Sequence, residues 1–264
     1  MAILTAWIDG VGLLAPGMPD WASGREILAG RQPYVAAPTV LPAPLALPPA
    51  ERRRASRLVK TALGVGFEAV ANAGADAATL ATVFSGSGGD GHNCHAICET
   101  LADDRQVSPT RFHNSVHNVA AGYWGIATGA MAPSQVLCAY DASFAAGLLE
   151  ALTQVATEQT PILLIAYDGE YPAPIHAARP IPDAGGIALL LSPQRTAKSL
   201  ASVGAVLAEK PTTTMANGEL EALRTAIPAM RGLPLLALLA AGIAGAASLE
   251  YLAPLQLKVE VTPC

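Results

Sequence analysis

The chain has 264 residues, 52% of them hydrophobic and 14% charged, and a net charge of −5. This composition describes a well-buried globule and excludes disordered and fibrous classes. The acidic balance, with no basic run beyond Arg52, Arg53, Arg54, Arg57 and Lys60, points away from nucleic acid and from anionic membrane as partners.

The N-terminal run MAILTAWIDGVGLL lacks the basic region and small-residue cleavage site of a signal peptide. It reads as a strand over Ala2 to Val11 that breaks at Gly12. Gly17 to Gly30 holds a short helical piece around Trp21, and the proline-rich, uncharged Val35 to Ala50 reads as an ordered surface loop. Glu51 to Gly74 is expected to be one long helix, with Glu51 at its positive end and Leu58, Leu63, Phe67 and Val70 as apolar positions. Thr79 to Ser85 then forms a buried strand feeding Gly86-Ser87-Gly88-Gly89-Asp90-Gly91. That spacing is neither the P-loop nor the dinucleotide fingerprint, so it reads as a strand-end turn with no cofactor. His92, Cys94, His95 and Cys98 follow. Cys94 and Cys98 share a helix face, but zinc needs a second pair from another segment, and no metal is expected. Four cysteines give no disulfide framework and suit a reducing, cytoplasmic setting.

The most informative stretch runs from Ser108 to Glu150. Asn118 to Thr128 carries Ala and Gly around Tyr123 and Trp124, as in a helix packed closely on a neighbour, and is closed by Gly129 and Pro133. Gln135 to Ala139 reads as a buried strand, with Cys138 a buried structural thiol, and Ala142 to Ala151 as a helix. Asp141 occupies the bend between them. A strand turning sharply into a helix lifts one side chain onto the helix N-terminus, where an anion is favoured and an enzyme would place a thiolate. His113 and His117 precede this helix and are expected to hydrogen-bond across a packed interface rather than act as acid and base.

Three further strands are expected over Thr160 to Asp168, Gly186 to Ser192 and Ala201 to Ala208, and helices over Gly218 to Ile227 and Leu233 to Ala244. The apolar run Leu233 to Leu249 is rich in Ala and Gly, contains Pro234 and reads as a buried helix, not a membrane span. Ser248 to Val261 supplies two terminal strands broken at Ala253-Pro254.

Ser108-Pro109, Asn118, Ala121-Gly122, Gly129 and Pro133 fall in the pattern of the β-ketoacyl synthases, thiolase-fold condensing enzymes of fatty-acid and polyketide synthesis. Continuing the count, Tyr140-Asp141-Ala142-Ser143-Phe144 lies on the family's Ala-Cys-x-Ser-Gly, so Asp141 stands where the nucleophilic cysteine belongs. The resemblance covers Ile3 to Ser192, is specific around Ser108 to Glu150, and extends to an Arg-Arg-x-Ser run at Arg53 to Ser56 and to Arg179-Pro180 followed by Gly185-Gly186. It implies a layered α-β-α fold of the α/β class, with residues 1–264 forming one domain. Residues 193–264 would be its shortened, divergent C-terminal part.

The same resemblance implies that catalysis is lost. The last histidine is His176, so the two histidines of the family's second half are absent together with the cysteine. An acyl-aspartate would be a labile mixed anhydride, costly to form from a thioester. Asp141 is instead expected to accept backbone N–H bonds at the helix start and to fill the site. Subunits that keep the fold without the cysteine are the chain-length factors, and Phe112-His113-Asn114-Ser115-Val116-His117-Asn118 most resembles the compact ones of bacterial aryl polyene clusters. The implied partner is a catalytic β-ketoacyl synthase in a heterodimer, with acyl carrier protein docking mainly on that partner. Asn118, His113, His117, Tyr123, Trp124 and Phe144 are the expected interface and tunnel residues, the last three as tunnel wall. The competing readings are a stand-alone acyltransferase or thioesterase-like enzyme using Cys138 or His113 and His117, and a homodimeric acyl-binding protein.

Overall fold

A computed structural model describes residues 3–264. Strand β1 (Leu4–Leu14) leads into α1 (Trp21–Leu28), a proline-rich loop, α2 (Pro49–Arg54) and α3 (Arg57–Ala73). Next come β2 (Ala81–Ser85), α4 (Gly91–Ala102), α5 (Pro109–His113), α6 (Val119–Thr128), β3 (Ser134–Leu137) and α7 (Ser143–Glu158). The chain continues through β4 (Ile162–Asp168), α8 (Ala173–His176), β5 (Gly185–Ser192) and β6 (Ala201–Ala208). It ends with α9 (Gly218–Ala226), α10 (Leu233–Ala241), β7 (Gly245–Glu250) and β8 (Gln256–Pro263).

All eight strands join one sheet in the order β3-β2-β4-β5-β1-β6-β8-β7. Strands β3, β2 and β4 are mutually parallel, and every pairing from β4 to β5 onward is antiparallel. The central strands β4 and β5 are buried at every position because helices cover both faces. On β4, Ile162, Leu164 and Ala166 face a core shared with α7, α9 and α10. Leu163, Ile165 and Tyr167 face a second core shared with α3 and α6. The period-two alternation thus divides one apolar strand between two cores, giving the expected α-β-α layering.

Several local expectations change. Strand β1 does not break at Gly12; it runs to Leu14 because the glycines there serve close packing. A Cβ at Gly12 would lie 2.0 Å from the Val65 carbonyl oxygen and one at Gly10 2.1 Å from that of Ala69, so these positions let α3 lie directly on the strand. The single helix expected over Glu51 to Gly74 is two helices. Ala55 is extended, and Ser56 caps the second helix by accepting the Val59 N–H at 3.4 Å. Strand β3 is not buried but is the exposed edge of the sheet. The helix beyond the Asp141 bend starts at Ser143, after a 3-10 turn over Tyr140–Ala142. No helix among the described residues is long and apolar enough to cross a membrane. Of the N-terminal expectation, Met1 and Ala2 lie outside the described residues.

Candidate functional site

The parallel strands β3, β2 and β4 end together, and the loops that follow them gather the polar groups, as at the carboxyl edge of other open α/β sheets. After β3 the chain turns through Cys138, Ala139 and Tyr140, whose φ of +53° places a bulky residue in the left-handed region. Ser143 braces this turn by accepting the Ala139 N–H (3.0 Å) and donating to the Tyr140 carbonyl (2.7 Å). The Ser85 hydroxyl, at the end of β2, ties the helix start to the sheet by donating to the Ser143 carbonyl (2.5 Å). The serine of the sequence motif is therefore the structural keystone of the bend.

Asp141 does not cap α7 as expected. Its two oxygens take guanidinium donors instead: Oδ1 accepts from Arg179 at 2.8 Å, and Oδ2 lies 3.2 Å from Arg231. The physical reason is competition. Ser143 already anchors the bend, while two largely buried guanidinium groups demand anionic partners. Arg231 also pairs with Glu250, which lies 3.7 Å from Arg224, and Arg224 in turn bonds Glu221 at 2.7 Å. This chain of charges runs from the bend into the C-terminal part. Burial pulls the Arg179 pKa down, but the adjacent Asp141 and Tyr140 outweigh it and leave it raised. At Arg231 burial prevails, and its pKa lies below the usual arginine range. The Arg179 guanidinium also lies 3.7 Å from the centroid of the Tyr140 ring.

A second carboxyl lies two strands further in, at the end of β4. Asp168, the last residue of β4, is only 4% exposed and accepts from the Ser87 N–H (2.8 Å) and hydroxyl (2.5 Å). Burial pushes its pKa up to about 6, against the opposing hydrogen bonds from Ser87. The glycine-rich loop after β2 thus folds back on β4.

The other expected site residues divide into two groups. His113 is exposed at the end of α5, Asn118 is exposed at the start of α6, and both line a groove of about 460 Å³ with Phe112, Val116, Tyr123 and Ile126. His117 is half-buried, and its Nε2 has no hydrogen-bond partner. Tyr123, Trp124 and Phe144, expected as tunnel wall, have their side chains inside the chain's own core. Trp124 packs on Phe67 with centroids 4.8 Å apart, and a Cβ on Gly66 would come within 2.7 Å of its ring. Phe144 is fully buried against Gly232, and Tyr123 donates to Asn114 Oδ1 at 3.3 Å. Cys138, expected to be buried, is exposed because β3 has no neighbour beyond it among the described residues. Sequence reasoning missed Arg231 and Glu250. The available signal was a lone arginine inside the apolar run from Ala226 to Leu249, where burial requires a counter-ion.

The description "beta-ketoacyl synthase, N-terminal domain" matches residues 28–233. The chain belongs to the β-ketoacyl synthase family. Among solved structures, a ketosynthase (ApeO) in complex with its chain length factor (ApeC) from Xenorhabdus doucetiae is similar at 23% identity and TM-score 0.72, over 97% of this chain and 99% of that one. The ishigamide ketosynthase/chain length factor is similar at 17% identity and TM-score 0.72, over 98% and 99%. A type II polyketide synthase acyl-carrier protein in complex with its ketosynthase bound to the hexaketide (AntDE:AntF) is similar at 10% identity and TM-score 0.76, over the whole of both chains. No curated protein matches the chain in sequence. These likenesses establish the ketosynthase fold over nearly the full length, including β6, β7 and β8, beyond the point where the motifs fade. At the bend after β3, this chain carries an aspartate, Asp141, clamped by two arginines.

Proposed function

We propose that the chain is a non-catalytic chain-length factor. It pairs with a catalytic β-ketoacyl synthase in the cytoplasm, and the heterodimer elongates acyl chains held on acyl carrier protein. The observation that carries this reading is Asp141: its oxygens are occupied by Arg179 and Arg231, so the position that would accept an acyl group holds an internal ion pair. Residues 1–264 act as one domain in this role, without cofactor or metal.

Pairing is assigned to the β3 edge and the helices beside it. Pro133 and Leu137 turn their carbonyls inward, accepting from Thr82 and Gly86. By the alternation of a parallel ladder, Ser134 and Val136 direct their backbone groups outward, ready for a partner strand. Phe112 (70% exposed) and Ile126 (46%) line one groove, and Met131 (95%) lies in the loop that leads into β3, all large apolar side chains that a lone chain would leave wet. The complexes named above contain a ketosynthase with a chain length factor or with an acyl-carrier protein, and this supports a ketosynthase as partner. The carrier protein docks mainly on that partner. A flat, apolar polyene suits the apolar surroundings, and an aryl polyene product is the specific reading.

The test is co-expression with the β-ketoacyl synthase encoded beside it. A one-to-one complex on size exclusion, with condensation only when both chains are present, is expected. A chain that elutes alone and condenses or hydrolyses thioesters by itself would refute the assignment.

A further inference from the structure

The clamp on Asp141 does more than remove a nucleophile, because it also fixes the residue before it. Tyr140 is 61% exposed, and its backbone lies in the left-handed region. The ring is not loose. The Arg179 guanidinium lies 3.7 Å from its centroid, and the same guanidinium is held by Asp141 at 2.8 Å. Tyr140 follows the edge strand by three residues, and Cys138 between them is exposed as well, so the ring stands at the end of the strand assigned to pairing. A side chain with two rotatable bonds, backed by a cation and set on a braced turn, is a rigid stop.

We propose that Tyr140 is the specificity-determining residue of this chain, limiting the length of the acyl chain grown in the partner, and that Arg179 and Asp141 are positioning residues for it. The ligand it meets is the apolar, conjugated end of that chain. This rests on the chain-length factor reading. On this view the carboxylate at the old nucleophile position is kept because it holds the arginine that holds the ring.

The test uses the reconstituted pair and the mass distribution of carrier-bound products. Tyr140→Asn keeps a residue that tolerates the left-handed backbone but deletes the ring. It should leave co-elution intact and shift products longer by at least one two-carbon unit. Tyr140→Phe keeps the ring over the guanidinium and should restore the wild-type distribution. Arg179→Met, with the ring unsupported, should broaden it, an effect that a purely structural arginine would not have on product length. An active, co-eluting Tyr140→Asn pair with unchanged products overturns the proposal and leaves the chain-length factor reading standing. A wild-type chain that fails to pair, or becomes acylated itself, overturns both. Because Tyr140 is exposed, its variants decide the matter even if Arg179→Met fails to fold.

Discussion

The two edges of the sheet are finished differently. At the C-terminal edge, β7 is covered by the chain's own segment before α9: the Thr213 N–H donates to the Ser248 carbonyl at 2.9 Å, and the Ser248 N–H donates to Thr213 Oγ1 at 2.9 Å. At the other edge β3 has no covering segment among the described residues, and exposed apolar side chains flank it. An open, apolar-flanked edge is an aggregation hazard unless a second chain completes it. On the proposed pairing, this contrast is the reason for assigning the subunit interface to the β3 edge rather than to β7.

The largest expected effect comes from charging the open edge. Ile126→Glu with Met131→Glu should weaken pairing at least ~100-fold, measured by titration calorimetry, because each change buries a carboxylate in an apolar contact. Thermal unfolding of the isolated chain should shift little, since both side chains are exposed there.

Next is Asp168→Asn, at the strand end inboard of β3. With a folded pKa raised to about 6 from 3.8, wild-type Asp168 holds its proton in the folded state between those values while the unfolded chain releases it. Stability from this group is therefore lost as pH rises from about 4 to about 6, by up to roughly 3 kcal/mol. The asparagine variant should exceed wild type in stability at pH 8, and the difference should shrink at pH 5 in parallel denaturant melts. A pH-independent difference would remove the titration from the account.

Asp141→Asn should destabilise the isolated chain by about 1–2 kcal/mol, since it leaves Arg179 without its anion and Arg231 with Glu250 alone, although partial exposure screens the loss. The smallest effects form a matched pair. Ser134→Pro removes an outward N–H at the open edge and should weaken pairing about tenfold, at a monomer cost of about 1 kcal/mol from the lost Thr82 hydroxyl bond to Ser134 Oγ. Thr213→Val at the sealed edge should cost about 1 kcal/mol of monomer stability and leave pairing unchanged. If Thr213→Val weakened pairing and Ser134→Pro did not, the assignment of the two edges would be reversed.

Strand positions and the layered α/β class were legible because strands such as β4 and β5 are apolar up to their last residue, a pattern that burial on both faces produces. The bend at Asp141 was legible as well, because its motif is local. What failed depended on contacts between distant segments. Gly12 reads as a strand break in sequence, yet it is needed for α3 to approach. Trp124 lies on a helix apolar all round, so its direction was hidden; only the space left by Gly66 turns it inward. The apolar content of β3 reads as burial, whereas in this chain the strand lies at an exposed edge. The pairing of Asp141 with Arg231, 90 positions later, could not be read from spacing at all.

The most direct test of the central claim is the intact mass of each subunit in the purified pair after incubation with an acyl carrier protein thioester. The account predicts that the acyl mass appears on the ketosynthase partner alone and that this chain keeps its unmodified mass. An acyl adduct on this chain, at Asp141 or Cys138, would contradict it.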